Sequence, residues 1–174
     1  MNIIKNVNTA VDLILDQKPL VIFQGPSEWG PRALGNRSIL FDPRNKDANN
    51  IVNKFKNREW WRPLAASVLL EHAHDGFDLA TLKESPYMTF AVGAKNIAKK
   101  QTPSIVHVDN SCRIQTVTLK QNKHYYNLLK AFYAKTKVPL LLNTSFNLAG
   151  FSIVESLEDV DRLDIPFKNI YIPQ

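Results

Sequence analysis

The sequence has 174 residues, 44% of them hydrophobic and 22% charged, which is typical of one globular domain with a buried core. Its formal net charge of +6 favours anionic partners such as a nucleotide, a phosphorylated metabolite or nucleic acid. The single cysteine, Cys112, excludes an internal disulfide, and no apolar run approaches the roughly 18 residues of a membrane span. Because the N-terminus also lacks the pattern of a signal peptide, we predict a cytoplasmic protein that makes no contact with a membrane.

The first third of the chain predicts two helices and two strands around a loop rich in glycine. Apolar residues from Val7 to about Asp16 recur with the spacing of an amphipathic helix. Continuous apolar runs at 20–23 and 38–41 predict short buried strands. Residues 47–55 predict a second helix, because their apolar side chains fall on one face and the first residue is an aspartate, a type that caps helices.

The rest of the chain predicts further strands and helices. In chain order, we expect a core strand or buried helix start at 64–70, a strand at 88–92, an exposed loop at 96–103, a strand from 113, a helix at 122–135, a strand at 139–142, a helix ending near 163 and a strand at 169–172. Ser156 and Asp159 have the spacing of a capping box for the helix that ends near 163. This alternation predicts a single domain, residues 1–174, with a mixed α/β fold.

A concentration of arginine and glycine sets the stretch 25–63 apart. It holds five of the seven arginines, three of the six glycines and all three tryptophans. Arginine offers a planar fork of donors that matches phosphate or carboxylate, and glycine lets the backbone approach a ligand. The stretch is therefore a candidate anion site, with phosphate as the favoured ligand. The alternative is a solvated basic surface, which is the simplest explanation for Arg44 and Lys56.

Two further polar loops, at 107–113 and 143–150, also stand at the ends of predicted strands. The simplest arrangement places them beside the loop 25–38, in one pocket that could hold a triphosphate or an acyl phosphate. Two alternatives stay open. His107 and Asp109 could be a hydrogen-bonded pair that shapes a turn, and the 143–150 loop could bond only to itself.

The other reactive residue types predict no chemistry. Cys112 is a lone thiol, and such a residue more often packs in a core than attacks a substrate. His72 and His74 have a spacing that suits a metal on a strand, but no third ligand is near them in the sequence. We therefore predict neither a cysteine nucleophile nor a metal site.

Six runs of the sequence are recognisable as a set. They are 28–40 (EWGPRALGNRSIL), 58–65 (REWWRPLA), 85–88 (SPYM), 107–109 (HVD), 113–117 (RIQTV) and 142–147 (LNTSFN). In this order and spacing they resemble the C-terminal domain of the O-carbamoyltransferases, such as the nodulation, cephamycin and tobramycin carbamoyltransferases. The resemblance covers about residues 10–172, and six ordered runs are much more specific than a single glycine motif.

The resemblance implies a YrdC-like fold, which is a twisted open mixed sheet with flanking helices. In that family this domain binds ATP and carbamoyl phosphate and forms carbamoyl adenylate. An N-terminal actin-like domain, which carries a metal site, then transfers the carbamoyl group to a hydroxyl. The resemblance thus implies a carbamoyltransferase with ATP as its cofactor, any magnesium arriving with the ATP phosphates, and nucleic acid is not the expected partner.

The resemblance also implies the residues of the site. Three arginines would be the catalytic groups, namely Arg32, Arg58 and Arg113. The groups that would bind nucleotide and substrate are Asn36, Arg37, Ser38, Lys54, Arg62, His107, Asn143, Ser145 and Asn147. Guanidinium groups suit these roles because they offset the repulsion between two anions and the charge that develops during transfer. No metal ligand is implied in this domain.

The sequence departs from the family pattern in two places. The N-terminal actin-like domain is absent from this sequence, so we expect a separately encoded subunit to supply the transfer step. The family run Gly-Glu-Pro-Ile-Val is replaced by GFSIV at 150–154, which removes a carboxylate and a proline from one edge of the pocket. The alternative function is a non-catalytic module of the same fold that binds nucleotide or RNA and regulates another protein.

Overall fold

The computed structural model describes residues 1–162, 166 and 168–174. Its strands are β1 (Asn2–Ile4), β2 (Leu20–Phe23), β3 (Arg37–Phe41), β4 (Ala65–Leu69), β5 (Phe77–Asp78), β6 (Ala91–Ala94), β7 (Ser111–Val117), β8 (Leu140–Ser145) and β9 (Asn169–Tyr171). Its helices are α1 (Val7–Leu15), α2 (Ala48–Phe55), α3 (Leu70–Gly76), α4 (Asn96–Gln101), α5 (Lys123–Thr136) and α6 (Leu157–Arg162), with a 3-10 turn at Pro103–Ile105.

The strands form one mixed sheet in the order β1-β9-β2-β3-β8-β4-β7-β6-β5. Strand β9 runs parallel to both of its neighbours and β4 runs parallel to β7, whereas the other neighbouring strands are antiparallel. The predicted fold class, a mixed α/β sheet with flanking helices, is confirmed.

Apolar side chains cover both faces of the sheet because successive residues of a strand point to opposite sides. In β2, Leu20 and Ile22 belong to the large core cluster, which α1 and α5 complete. Val21, between them, belongs to a smaller cluster that includes Phe146 and Val160 of α6. Helix α5 packs on β4 and β8, and α1 packs on α5.

Three predicted helices begin at residues whose types favour helix starts. The side chain of Asn6 accepts the backbone N–H groups of Asn8 and Thr9 at the start of α1. Asn122 caps α5 in the same way, whereas Asp47 occupies the N-cap position of α2 without a capping hydrogen bond. The predicted helices at 7–16, 47–55 and 122–135 and the predicted strands at 20–23, 38–41 and 169–172 are confirmed within one or two residues.

The predicted capping box is also present. The Ser156 N–H donates to Asp159 Oδ2 at 3.0 Å, and the Asp159 N–H donates back to Ser156 Oγ at 3.4 Å. Helix α6 follows and is described as far as Arg162. The predicted end of this helix, at residue 163, lies outside the described residues.

Other predictions of local structure were wrong. Residues 96–103 are not a loop, because they contain α4 and the start of the 3-10 turn, with Ala98 and Thr102 buried. The strand expected at 88–92 begins only at Ala91. The polar residues 143–145 extend β8 instead of following it, because their backbone groups pair with β3 and β4. The short strands β1 and β5 were not predicted, whereas the 64–70 run forms β4 and then begins α3, in agreement with the expected core strand or helix start.

Candidate functional site

The sheet topology brings several strand ends to one edge. Ser38 in β3 pairs with Ser145 in β8, and Asn143 in β8 pairs with Ala65 in β4. Strand β7 is parallel to β4, so its N-terminal half reaches the same edge. The chain leaves β2 and enters β3 there as well, since these strands are antiparallel. The loops that join these ends therefore face one another.

A cleft of about 360 Å³ opens between the loop before β3, the segment after α2 and the loop after β8. Of the twelve predicted site residues, seven line it. They are Arg32, Arg58, Arg62, Arg113, Asn143, Ser145 and Asn147. The expectation that the loops 25–38 and 143–150 share one pocket is thus met, and Arg113 on β7 joins them.

Positive charge is concentrated in this cleft. With Lys56, four arginines line it, and Glu59 is the one carboxylate among its described lining residues. Burial lowers the pKa of Arg58, and Arg62 and Arg32 lower it further. Burial lowers the pKa of Arg113 too, again with a contribution from Arg32. Cations that repel one another in this way are stabilised by an anionic ligand.

Lys56 is a cationic lining residue that the sequence did not assign to the site. It is buried, and its Nζ atom donates to the carbonyl oxygens of Ser145 and Asn147, the latter at 3.0 Å, and to Asn147 Oδ1 at 2.8 Å. Burial, assisted by the charge of Arg58, lowers the pKa of Lys56 to about 7. The explanation of Lys56 as a solvated surface residue was therefore wrong. Its place two residues before Arg58 was the only available signal.

A buried polar layer lies beneath the cleft on three adjacent strands. Asn143 on β8 donates to Ser67 Oγ on β4 at 2.8 Å, and Ser67 donates to Gln115 Oε1 on β7 at 2.7 Å. The remaining amide donors hold the arginine-bearing loop, since Asn143 binds the Ala33 carbonyl at 3.1 Å and Gln115 binds the Leu34 carbonyl at 2.8 Å. This layer fixes the loop immediately after Arg32.

Glu28 fixes the same loop from within. Its Oε1 atom accepts the backbone N–H groups of Leu34 and Asn36 at 2.7 Å each and that of Arg37 at 3.2 Å. Three donors on one carboxylate oxygen hold the turn closed around it. Sequence reasoning assigned Glu28 no role beyond the resemblance.

Three predicted binding residues at the start of β3 lie behind the cleft, not in its wall. Arg37 makes five hydrogen bonds to backbone carbonyls and stacks on Phe23, with Cζ 3.7 Å from the ring centre. Ser38 is fully buried and accepts the Gly35 N–H at 3.0 Å. Asn36 Nδ2 donates to the Pro26 carbonyl at 3.0 Å. Their partners indicate that they shape the loop.

The two other predicted binding residues also stand outside the cleft lining. Lys54 is exposed on α2. His107 Nδ1 lies 3.2 Å from Ser111 Oγ and its Nε2 lies 3.3 Å from the Leu64 carbonyl oxygen. Asp109 accepts the Ser111 N–H at 2.9 Å, so both residues shape the turn before β7 through Ser111 and not as the mutually bonded pair of the alternative interpretation.

Cys112, His72 and His74, the residues assigned no chemistry, lie outside the cleft lining. Cys112 is buried, and burial raises the pKa of its thiol to about 12. His72 and His74 lie on α3, where His72 pairs with Asp75 at 3.0 Å. Across the described ranges, no group of three metal-binding side chains could hold an ion, and no helix is both long and apolar enough to cross a membrane. Arg44, expected to be solvated, is exposed and also pairs with the buried carboxylate of Asp42 at 2.6 Å.

A second cleft, of about 390 Å³, adjoins the first. Pro31, Ser145 and Asn147 line both, so the two spaces are continuous. The remaining walls of the second cleft are Ser27, Glu28, Gly30, Phe151, Ser152, Ile153 and Glu155. These walls hold two carboxylates and, among the described residues, no cationic side chain.

The fold is that of the YrdC/Sua5-like α/β domains. E. coli YciO has a TM-score of 0.65 at 14% identity, over 98% of this chain and 81% of that chain. P. abyssi Sua5 complexed with L-threonine has a TM-score of 0.67 at 10% identity, over 98% of this chain and 49% of that chain. A full-length HypF in its phosphate- and nucleotide-bound form has a TM-score of 0.69 at 12% identity, over 97% of this chain and 24% of that chain. At these identities the likeness concerns the fold alone.

Sequence similarity then identifies the family. The model of the family described as Carbamoyltransferase C-terminus matches residues 11–165. Nodulation protein NolNO of Sinorhizobium fredii is 44% identical over 86% of this chain and 22% of its own length. Nodulation protein NolO of Bradyrhizobium diazoefficiens is 43% identical over 87% of this chain and 28% of its own length. The chain therefore belongs to the carbamoyltransferase C-terminus family, as the resemblance predicted, and it spans about a quarter of the length of these curated relatives.

Proposed function

We propose that this chain binds ATP and carbamoyl phosphate in the cationic cleft and forms carbamoyl adenylate, which a partner subunit transfers to a hydroxyl group. The single observation that carries the proposal is the convergence of Arg32, Lys56, Arg58, Arg62 and Arg113 on one cleft with one carboxylate. Such an excess of cations suits a ligand with several negative charges. Membership of a carbamoyltransferase family and the nucleotide-bound HypF neighbour support the same ligand class.

The proposed reaction has two steps. Water first cleaves carbamoyl phosphate to carbamate and phosphate. A carbamate oxygen then attacks the α-phosphorus of ATP, an oxygen–phosphorus bond forms, and the bond from that phosphorus to the bridging oxygen of the β-phosphate breaks. Pyrophosphate leaves with the electron pair of the broken bond. Both carbamate and ATP are anions, so the step is slow unless fixed positive charge offsets their repulsion.

Different residues of the cleft would have different roles in this reaction. Arg32, Arg58 and Arg113 would neutralise the charge that develops on the transferring phosphate, as the resemblance implies. Arg62 would bind the outer phosphates, and Lys56, whose ammonium donors are taken by Ser145 and Asn147, would attract them through its charge. Asn143, Ser145 and Asn147 would orient the carbamoyl group through neutral hydrogen bonds. The described lining of the cleft offers magnesium no pair of carboxylates, so a magnesium ion would be held by the nucleotide phosphates.

In this proposal an actin-like partner carries out the transfer step. The chain matches about a quarter of the length of NolNO and NolO, and the resemblance places the transfer chemistry in an actin-like domain. We propose a separate subunit of that type as the partner. The cytoplasmic location expected from the single cysteine remains a prediction.

The proposal is tested by pyrophosphate release from ATP, measured for the purified chain with and without carbamoyl phosphate. Release that depends on carbamoyl phosphate is expected, and mass spectrometry should detect carbamoyl adenylate. Arg32→Ala should abolish the release, whereas Arg162→Ala, an exposed arginine on α6 outside the cleft, should leave it unchanged. Undiminished release in Arg32→Ala would remove the role of that residue, and the absence of release from the wild-type chain would contradict the proposed function.

A further inference from the structure

The segment that follows α2 carries three charged residues of the cationic cleft, namely Arg58, Glu59 and Arg62. Little apolar packing holds this segment, because Trp60 and Trp61 at its centre are 74% and 61% exposed. Arg62 is exposed as well. Its N–H donates to the Glu59 carbonyl at 3.2 Å, and its Nε atom pairs with the Glu59 carboxylate at 2.7 Å. These two contacts stay inside the segment and do not attach it to the rest of the domain.

Asn53 on α2 attaches this segment to the helix. Its Nδ2 atom donates to the carbonyl of Arg62 at 3.0 Å and to that of Trp60 at 3.2 Å. Asn53 is fully buried, and its own carbonyl accepts the Arg58 N–H at 2.9 Å. Because both N–H groups of the amide are used on the segment, the side chain fixes the path of the backbone on each side of Trp61.

The other end of the Asn53 amide shows that packing does not explain an asparagine at this position. Its Oδ1 atom is buried and has no hydrogen-bond partner in the described part of the chain. A buried acceptor without a donor costs free energy. A leucine of similar size would fill the same space without that cost, so the two donors of the amide are what the position uses.

We propose that Asn53 is a positioning residue, which holds Arg62 where it can bind a phosphate group in the cationic cleft. Asn53 is not among the described lining residues of either cleft, so it acts through the backbone of Arg62 and not on the ligand. Without its two donors the exposed segment would take several backbone paths, and ordering it again would weaken binding. The inference rests on the proposed function, because it takes the ligand of the cleft to carry several phosphates.

The test is a double-mutant cycle on the affinity for tripolyphosphate, measured by isothermal titration calorimetry. Asn53→Leu removes both amide donors and keeps the approximate volume of the side chain. It is combined in turn with Arg62→Ala and with Arg113→Ala, since Arg113 lines the same cleft from β7 and not from the segment after α2. Asn50→Leu is the matched control, because Asn50 is exposed on the same helix and its amide donates to Asp47 at 2.6 Å. Circular dichroism verifies the fold of each variant, and Asn53→Ala takes the place of Asn53→Leu if the latter does not fold.

Asn53→Leu should weaken the binding of tripolyphosphate about tenfold in the wild type and again in Arg113→Ala. In Arg62→Ala the same change should cost less than about threefold, because the guanidinium that Asn53 positions is already absent. Asn50→Leu should keep the wild-type affinity. An equal loss in all three backgrounds, or no loss in the wild type, overturns the positioning role while the phosphate site stands. A wild-type chain that does not bind tripolyphosphate overturns the proposed function as well, so the two failures are distinguishable.

Discussion

Lys56 joins the end of α2 to the loop after β8 through both its backbone and its side chain. Its carbonyl accepts the Ala149 N–H at 2.9 Å, and its ammonium group donates to the carbonyl of Asn147 at 3.0 Å. Because burial lowers its pKa to about 7, its charge near neutral pH depends on what occupies the cleft. An anion in the cleft favours the protonated form.

This arrangement predicts that tripolyphosphate binds less tightly as the pH rises above 7. Below pH 7 Lys56 is already charged in the free protein, whereas above it a proton must be taken up when the polyanion binds. Affinity should then fall by up to about tenfold per pH unit between pH 7 and 9. The slope should be shallower in Lys56→Met, and titration calorimetry of both proteins cancels the ionisation of tripolyphosphate itself. If the affinity of both proteins for tripolyphosphate changed equally with pH, Lys56 would not take up a proton when the ligand binds.

Arg37 lies near the anion site, but its guanidinium donates its hydrogen bonds to backbone carbonyls. Its five hydrogen bonds reach the carbonyls of Gln24, Gly25, Asn36 and Glu155, so each N–H of the guanidinium already has an acceptor. Burial lowers its pKa, while Glu28 and Glu155 raise it. These bonds join the segment before β3 to the segment before α6.

We therefore expect Arg37→Ala to act on stability. It leaves several partly buried carbonyls without their donors, which should lower the free energy of unfolding by about 3 kcal/mol. Urea unfolding measures this loss, and Arg162→Ala, whose side chain is 74% exposed, should stay within about 0.5 kcal/mol of wild type. A variant of unchanged stability that no longer binds ATP would instead support the ligand contact implied by the resemblance.

At the scale of elements, the loop between β2 and β3 depends on glycines in unequal ways. Gly35 has a φ angle of +105°, and a Cβ atom there would lie 2.2 Å from Cδ1 of the buried Tyr125. Gly30 has a φ angle of +96°, but a Cβ atom there would meet nothing within 4 Å. The two positions share the backbone constraint and differ in the space available.

Mutating each glycine to alanine separates the cost of the backbone conformation from the cost of the clash with Tyr125. Gly30→Ala should lower the free energy of unfolding by about 1 kcal/mol, through its backbone conformation alone. Gly35→Ala should cost at least about 2 kcal/mol more, because α5 and its Tyr125 must move. Urea unfolding of both variants gives the difference directly. Equal losses would mean that the loop can shift away from α5 without penalty.

The elements also differ in how far the sequence could predict them. Strand β2 coincides with its apolar run because the whole pattern is local. Helix α4 was missed because it is polar and buries only Ala98, so it forms by packing on α3. Seven site residues were predictable from arginine and polar runs, but the burial of Lys56 depends on Ser145 and Asn147, 89 and 91 residues further along the chain. No local pattern reports such a contact.

Across the whole molecule, the positive charge has a distribution that bears on the choice of ligand. The net charge is +6, yet four of the seven arginines line one cleft of about 360 Å³. A nucleic-acid surface needs cations spread along the path of a phosphate backbone. A confined cluster instead matches a short polyphosphate, which favours the nucleotide over the alternative of an RNA-binding module.

Measurements of thermal stability can distinguish a nucleotide from RNA as the ligand of the cleft. A ligand that binds only the folded chain, present at 100 times its dissociation constant, stabilises it by about 2.7 kcal/mol. For a domain of this size that should raise Tm by about 5–10 °C. Tripolyphosphate and ATP should both do so, whereas a single-stranded oligouridine at the same phosphate concentration should shift Tm by less than about 1 °C, because its backbone does not fit the cleft. Arg32→Ala should lose most of the shift caused by tripolyphosphate, and Arg162→Ala should retain it. An oligouridine shift as large as that of ATP, and abolished by added salt, would instead support the RNA-binding alternative.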